Sequence, residues 1–60
     1  MKAPVYWERK AVEAEEEGYF YEAAMLWNNA KGATIGHNKR DRYEERASRA
    51  MTRARDKYDR

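Results

Sequence analysis

Five basic side chains recur in the last third of the chain with the spacing of one helical face. Their offsets are 0, 3, 7, 10 and 14, and they are Lys39, Arg42, Arg46, Arg49 and Arg53. Such a stripe can face solvent, bind an acidic protein surface or contact the phosphates of a nucleic acid. The sequence leaves all three uses open. Glu44 and Glu45 interrupt the positive field, and a pI near 9.0 is borderline for nucleic-acid binding, so this last use is the least favoured.

The sequence contains no complete set of residues for catalysis. An acidic cluster, Glu13, Glu15, Glu16 and Glu17, is best explained by solubility and by pairing with the arginines of the basic stripe. The single histidine, His37, is expected to cap a helix or to face solvent. Cysteine, a Ser/His/Asp set and a glycine-rich phosphate loop are all missing. The sequence therefore predicts a non-enzyme that binds neither a metal nor a cofactor.

Length and composition predict one small domain, residues 1–60. Charged residues make up 40% of the chain, the mean hydropathy is −1.30, and no apolar run approaches the roughly 20 residues of a membrane span. We therefore expect a cytoplasmic protein. Aromatic residues reach 13% and fall at helical spacings, which favours a folded chain over a disordered one.

Hydrophobic spacing predicts an all-α fold of three helices. The first runs over about 4–17, opened by Pro4 and stopped by Gly18, since proline suits a first helical turn and glycine a C-terminal cap. The second covers about 19–31 and the third, longer helix about 39–58. The first two should form an antiparallel hairpin, with the third helix packed across it.

The connection over 32–38 is the one loop-like stretch between these helices. Gly32 is expected to end the second helix, and the side chain of Asn38 to cap the third. Ile35, the lone β-branched apolar residue of this stretch, is expected to plug one end of the core.

Aromatic and small residues on the inner faces of the three helices predict the core. Its expected members are Trp7, Ala11, Ala14, Phe20, Ala23, Trp27, Ala30, Tyr43, Ala47 and Ala50. The third helix carries Tyr43, Ala47, Ala50 and Ala54 as a narrow seam typical of a coiled coil, which predicts a homodimer. Residues 1–30 hold six acidic and three basic side chains, whereas residues 31–60 hold five acidic and ten basic ones. This asymmetry favours head-to-tail self-association or an acidic partner for the second half.

Two large apolar residues of the second helix lie outside its inner stripe. Tyr21 and Met25 are four residues apart and share one outer face. We expect them to contact a protein partner, with Arg42 and Arg49 as the polar rim. Arg46 and Arg53 of the basic stripe are also expected to bind the partner.

The first two helices resemble one tetratricopeptide unit. Trp7 opens the first helix, Ala11 takes its small-residue position, and Ala23-x3-Trp27 with Ala30 completes the second. This resemblance implies a tetratricopeptide-like hairpin.

A longer stretch, roughly 7–50, resembles the AraC negative regulator family of small bacterial proteins. The matching positions are Ala11, Ala14-Glu15, Gly18, Phe20, Ala23-Ala24, Leu26-Trp27 and Ala30, then Asn38, Arg46 and Ala50. The resemblance implies a negative regulator that binds AraC-type transcription activators and blocks their dimerisation or activity. Genes of this family often travel on phages and plasmids. Alternatives are a phage- or plasmid-borne inhibitor of another host protein, or a nucleic-acid-binding protein that uses the basic stripe.

Overall fold

The protein forms three helices, which a computed structural model describes over residues 2–58. They are α1 (Pro4–Glu16), α2 (Phe20–Gly32) and α3 (His37–Tyr58), and no strand occurs within that range. The predicted all-α class, with two short helices followed by a longer one, is confirmed. None of these helices combines the length and apolar character needed to cross a bilayer.

A proline at its start and a glycine just after its end set the bounds of α1. Pro4 is its first residue and follows Ala3 in an extended conformation. At the other end, Gly18 has a φ of +83°. The Gly18 amide donates to the Glu15 carbonyl at 3.0 Å, and the Tyr19 amide donates to the Ala14 carbonyl at 2.9 Å. This pair of bonds is a Schellman motif, so the turn that reverses the chain into α2 depends on a glycine at position 18.

Replacing Gly18 with alanine is expected to destabilise the protein by about 1–2 kcal/mol, because a left-handed backbone is strained for an L residue. A Cβ at position 18 would also lie 3.2 Å from Lys57 Nζ. The matched control is Gly32→Ala, since Gly32 lies in α2 without a positive φ and a Cβ there would meet no packing neighbour within 4 Å among residues 2–58. Urea unfolding should show Gly32→Ala equal to or above the wild type in stability. Equal losses in both variants would contradict a special role for Gly18.

The second helix ends at Gly32, as the sequence predicts. Gly32 is the last residue of the helix and does not terminate it through a left-handed turn; the capping residue is Ala33, with a φ of −89°. The Ala33 amide donates to the carbonyls of Asn29 and Ala30, and the Thr34 hydroxyl donates to the Ala30 carbonyl at 2.8 Å. Side-chain and backbone bonds therefore close the last turn without a glycine in the left-handed conformation.

The expectations for Ile35 and Asn38 were wrong. Ile35 is fully exposed and does not plug the core, because the connection is only four residues long and runs over the surface. The third helix starts at His37, so Asn38 lies inside its first turn and does not cap it. Gly36, with a φ of +135°, redirects the chain, and its carbonyl accepts the Arg40 amide at 3.3 Å.

The core lies along α2, which packs against both of the other helices, whereas α1 and α3 approach each other only slightly. Trp27 is its largest fully buried side chain, at 1% exposure. Most other members are alanines, which let the helix backbones approach closely. The buried set is Ala11, Ala14, Ala23, Ala24, Trp27, Ala30, Tyr43, Ala47, Ala50 and Ala54. Trp7 packs against this cluster half-buried, and Phe20 is also half-buried.

Candidate protein-binding surfaces

One group of three side chains ties all three helices together on the side where α1 faces α3. The Trp27 indole Nε1 donates to Glu15 Oε2 at 2.9 Å. The Arg46 guanidinium lies over the Trp27 ring, 4.6 Å from its centroid, and its Nη2 is 3.7 Å from Glu15 Oε1. Arg46 therefore contributes to the fold by covering the core tryptophan and pairing with an α1 carboxylate.

Arg53, two helical turns further along α3, also covers an aromatic ring of α2. The Arg53 guanidinium lies 4.6 Å from the centroid of the Phe20 ring, and Lys57 Nζ lies 5.8 Å from the same centroid. Lys57 also donates to the Gly18 carbonyl at 2.9 Å. The basic side of α3 thus covers aromatic residues of α2, and part of the predicted stripe has a structural role.

A groove of about 420 Å³ opens between α1 and the first half of α3. Trp27 and Tyr43 lie at its floor with their rings stacked, 5.9 Å between centroids. The rest of its lining is charged: Glu8, Lys39, Arg42, Glu45, Arg46 and Arg49. We call this the α1–α3 groove; four of its six charged residues are cations.

The Tyr43 phenol lies at the floor of this groove, and its surroundings shift its pKa. Burial raises the pKa of Tyr43 above its usual value of 10.0, the Glu8 carboxylate adds to the rise, and Arg42 opposes it. The phenol is therefore a neutral group at physiological pH, and it supplies the groove with a polar atom but no charge.

A second surface lies on the outer side of α2 and at the end of α3. Tyr21 and Tyr58 stack there with ring centroids 5.6 Å apart and planes 15° apart. These two side chains are 45% and 58% exposed, and the neighbouring Met25 is 66% exposed. We call Tyr21, Met25 and Tyr58 the outer patch.

The structure does not bring the six predicted contact residues into one surface. Met25 precedes Trp27 by two residues and therefore points about 160° away from it around α2. Because Arg46 covers Trp27, Arg46 and Met25 lie on different sides of α2. Arg42, Arg46 and Arg49 line the α1–α3 groove, away from Met25, whereas Arg53 covers Phe20, the residue before Tyr21.

Tyr58 belongs to the outer patch and is a contact position that the sequence did not predict. It continues the repeat of the buried alanines, yet it is more than half exposed. Its position explains this exposure. Tyr58 lies beyond Ala54, the last buried residue of α3, where α3 passes the start of α2 and reaches the α1–α2 connection.

The predicted dimer seam of α3 is used within the chain. Tyr43, Ala47, Ala50 and Ala54 are all buried against the other helices, with exposures of 8% or less. A second copy cannot reach this seam while the three-helix fold is intact, so the seam gives no basis for a homodimer. The predicted coiled-coil spacing instead describes the packing of α3 on α2.

The remaining polar candidates are surface groups. His37 is exposed in the first turn of α3, and Glu15 is the acidic-cluster member that pairs with α3. Within residues 2–58 no three His, Cys, Asp or Glu side chains converge as metal ligands would. The described residues present an apolar patch on one side of the protein and a groove with charged walls on another.

Comparison of the chain with protein-family models, with curated proteins and with solved structures finds no match.

Proposed function

We propose that this protein is a small non-enzymatic regulator that acts by binding another protein in the cytoplasm. The observation that carries the proposal is the outer patch, where Tyr21, Met25 and Tyr58 leave a stacked aromatic pair and a methionine in solvent. Clustered apolar side chains on a small domain mark contact surfaces more often than scattered ones do. Tyrosine and methionine are also enriched in the cores of protein interfaces.

The proposed partner is an AraC-type transcription activator, whose dimerisation or activity this protein would block. This part of the proposal is supported by the sequence resemblance to the AraC negative regulators, carried by residues such as Ala23-Ala24 and Leu26-Trp27. Those matched residues lie in or against the core, whereas the outer patch is formed by other side chains. The scaffold is thus the shared part, and the patch would select the partner. An inhibitor of a different host protein would use the same patch on the same scaffold.

Replacing both Tyr21 and Met25 with alanine should weaken partner binding by about 1–3 kcal/mol in total, because truncation removes apolar contact area at the centre of the interface. The matched control is Val5→Ala/Ile35→Ala, which removes two exposed apolar side chains outside the patch. Binding is measured by titration calorimetry against a purified AraC-type activator. Circular dichroism verifies that both double variants keep the wild-type helicity.

A promoter reporter driven by the same activator provides the functional readout. The wild-type protein should suppress the reporter, the Tyr21→Ala/Met25→Ala variant should restore it, and the control pair should suppress it as the wild type does. Undiminished binding of the patch variant would contradict the role of the outer patch. A wild-type protein that neither binds AraC-type activators nor silences their promoters would favour the alternative host target.

A further inference from the structure

We propose that the α1–α3 groove is a second binding site, and that it takes an acidic segment of a partner protein. The α3 wall of the groove carries Lys39, Arg42, Arg46 and Arg49 at offsets of 0, 3, 7 and 10. At a rise of 1.5 Å per residue, this ladder of cations is about 15 Å long. It presents a row of donors to a ligand that lies along α3.

Two cations of the ladder have no carboxylate partner among residues 2–58. Arg46 pairs with Glu15, and Arg49 pairs with Glu45 at 2.9 Å. None of the ion pairs in the described part of the chain includes Lys39 or Arg42. These two side chains are exposed and lie one helical turn apart, so they can pair with incoming carboxylates without breaking an existing contact.

The carboxylates in and beside the groove favour a protein ligand over a nucleic acid. Glu8 and Glu45 line the same groove as the cations, and Glu15 pairs with Arg46 beside it. A nucleic-acid backbone carries a phosphate on every nucleotide and would place some of them against these acids. A peptide carries carboxylates only at chosen positions, so it can meet Lys39 and Arg42 while leaving Glu8 and Glu45 opposite neutral residues. Charge complementarity of this kind sets both register and selectivity.

This site is independent of the outer patch. The groove lies on the side of α2 that Arg46 covers, whereas Met25 points about 160° away. Variants in one surface leave the other intact, so failure of this inference and failure of the proposed function are distinguishable.

The test is fluorescence anisotropy with a labelled alanine-rich helical peptide. One probe carries two glutamates three residues apart, matching the spacing of Lys39 and Arg42, and the second carries glutamines at the same positions. A labelled single-stranded oligonucleotide is the third probe. The protein variant is Lys39→Ala/Arg42→Ala, and its matched control is Arg40→Ala/Arg55→Ala, which also removes two exposed cations of α3 but none from the groove.

The wild type should bind the glutamate peptide about tenfold more tightly than the glutamine peptide at low salt, since the difference is made by direct charge pairs. Lys39→Ala/Arg42→Ala should lose about tenfold in affinity for the glutamate peptide, and the control pair less than about twofold. Equal losses in the two variants would overturn the proposal, because the protein would then sense net charge alone. No binding of the glutamate peptide by the wild type would also overturn it. Tighter binding of the oligonucleotide, with that binding lost in Lys39→Ala/Arg42→Ala, would assign the groove to nucleic acid instead.

Discussion

Replacing Trp27 with alanine should lower the free energy of unfolding by about 3–5 kcal/mol, the usual loss for a buried large aromatic residue. Trp27 is 1% exposed and is the largest fully buried side chain. Its ring stacks on Tyr43, its Nε1 donates to Glu15, and Arg46 lies over its face. The substitution leaves a cavity on the central helix and removes contacts to both of the others.

A loss of that size is close to the whole stability of such a domain, which is roughly 3–9 kcal/mol at this chain length. The variant should therefore be largely unfolded, with weak helicity by circular dichroism and no cooperative melting transition. Trp7→Ala is the matched control, because Trp7 is the same residue type but only half-buried at the edge of the core. It should melt cooperatively at a reduced temperature. A wild-type melting curve for Trp27→Ala would show that α2 is not the centre of the core.

Replacing Ala50 with glutamate should destabilise the protein by roughly 3–5 kcal/mol, the cost of a buried charge without a partner. Ala50 is 1% exposed in the packing between α3 and the rest of the core. The alanine-rich contact leaves no room for a longer side chain, so the carboxylate would have to stay desolvated or force α3 away from α2.

Ser48→Glu is the control for this variant, since it adds the same charge to α3 at an exposed position. Urea unfolding at neutral pH should separate the two variants by several kcal/mol. Burial raises the pKa of a carboxyl group, so the charged form is disfavoured in the folded state. Lowering the pH should therefore return part of the stability lost in Ala50→Glu, because protonation removes the charge. Similar midpoints for both variants at neutral pH would mean that α3 does not pack through its alanine seam.

The elements that the sequence predicted well are those determined by local chemistry. Pro4 and Gly18 bracket α1 because a proline opens a helix and a glycine accepts the left-handed turn after it. The apolar residues around Trp27 recur with the period of a helix, and the role this pattern predicts is burial in the core. Neither inference needs knowledge of how the helices are arranged in space.

Features set by packing between helices were beyond the sequence. Ile35 is apolar, but the short path of its loop over the surface decides its exposure. The rotation of α3 about its axis decides that Arg46 faces Trp27, so that Arg46 and Met25 lie on different sides of α2. Nothing in the local pattern of α3 fixes that rotation. The seam of Ala47 and Ala50 had two equivalent uses, a second copy or α2, until the fold was known.

The arrangement of the helices also bears on how quickly the chain folds. Each helix packs mainly on its neighbour in sequence, so the loops that close during folding are short and lose little entropy. The Lys57–Gly18 bond spans 39 residues and joins the end of α3 to the α1–α2 turn. Chains dominated by local contacts fold in microseconds to milliseconds. We expect this chain to be of that kind, with the Lys57 bond forming after the helices have docked, so that the end of α3 is the first part to open and the last to close.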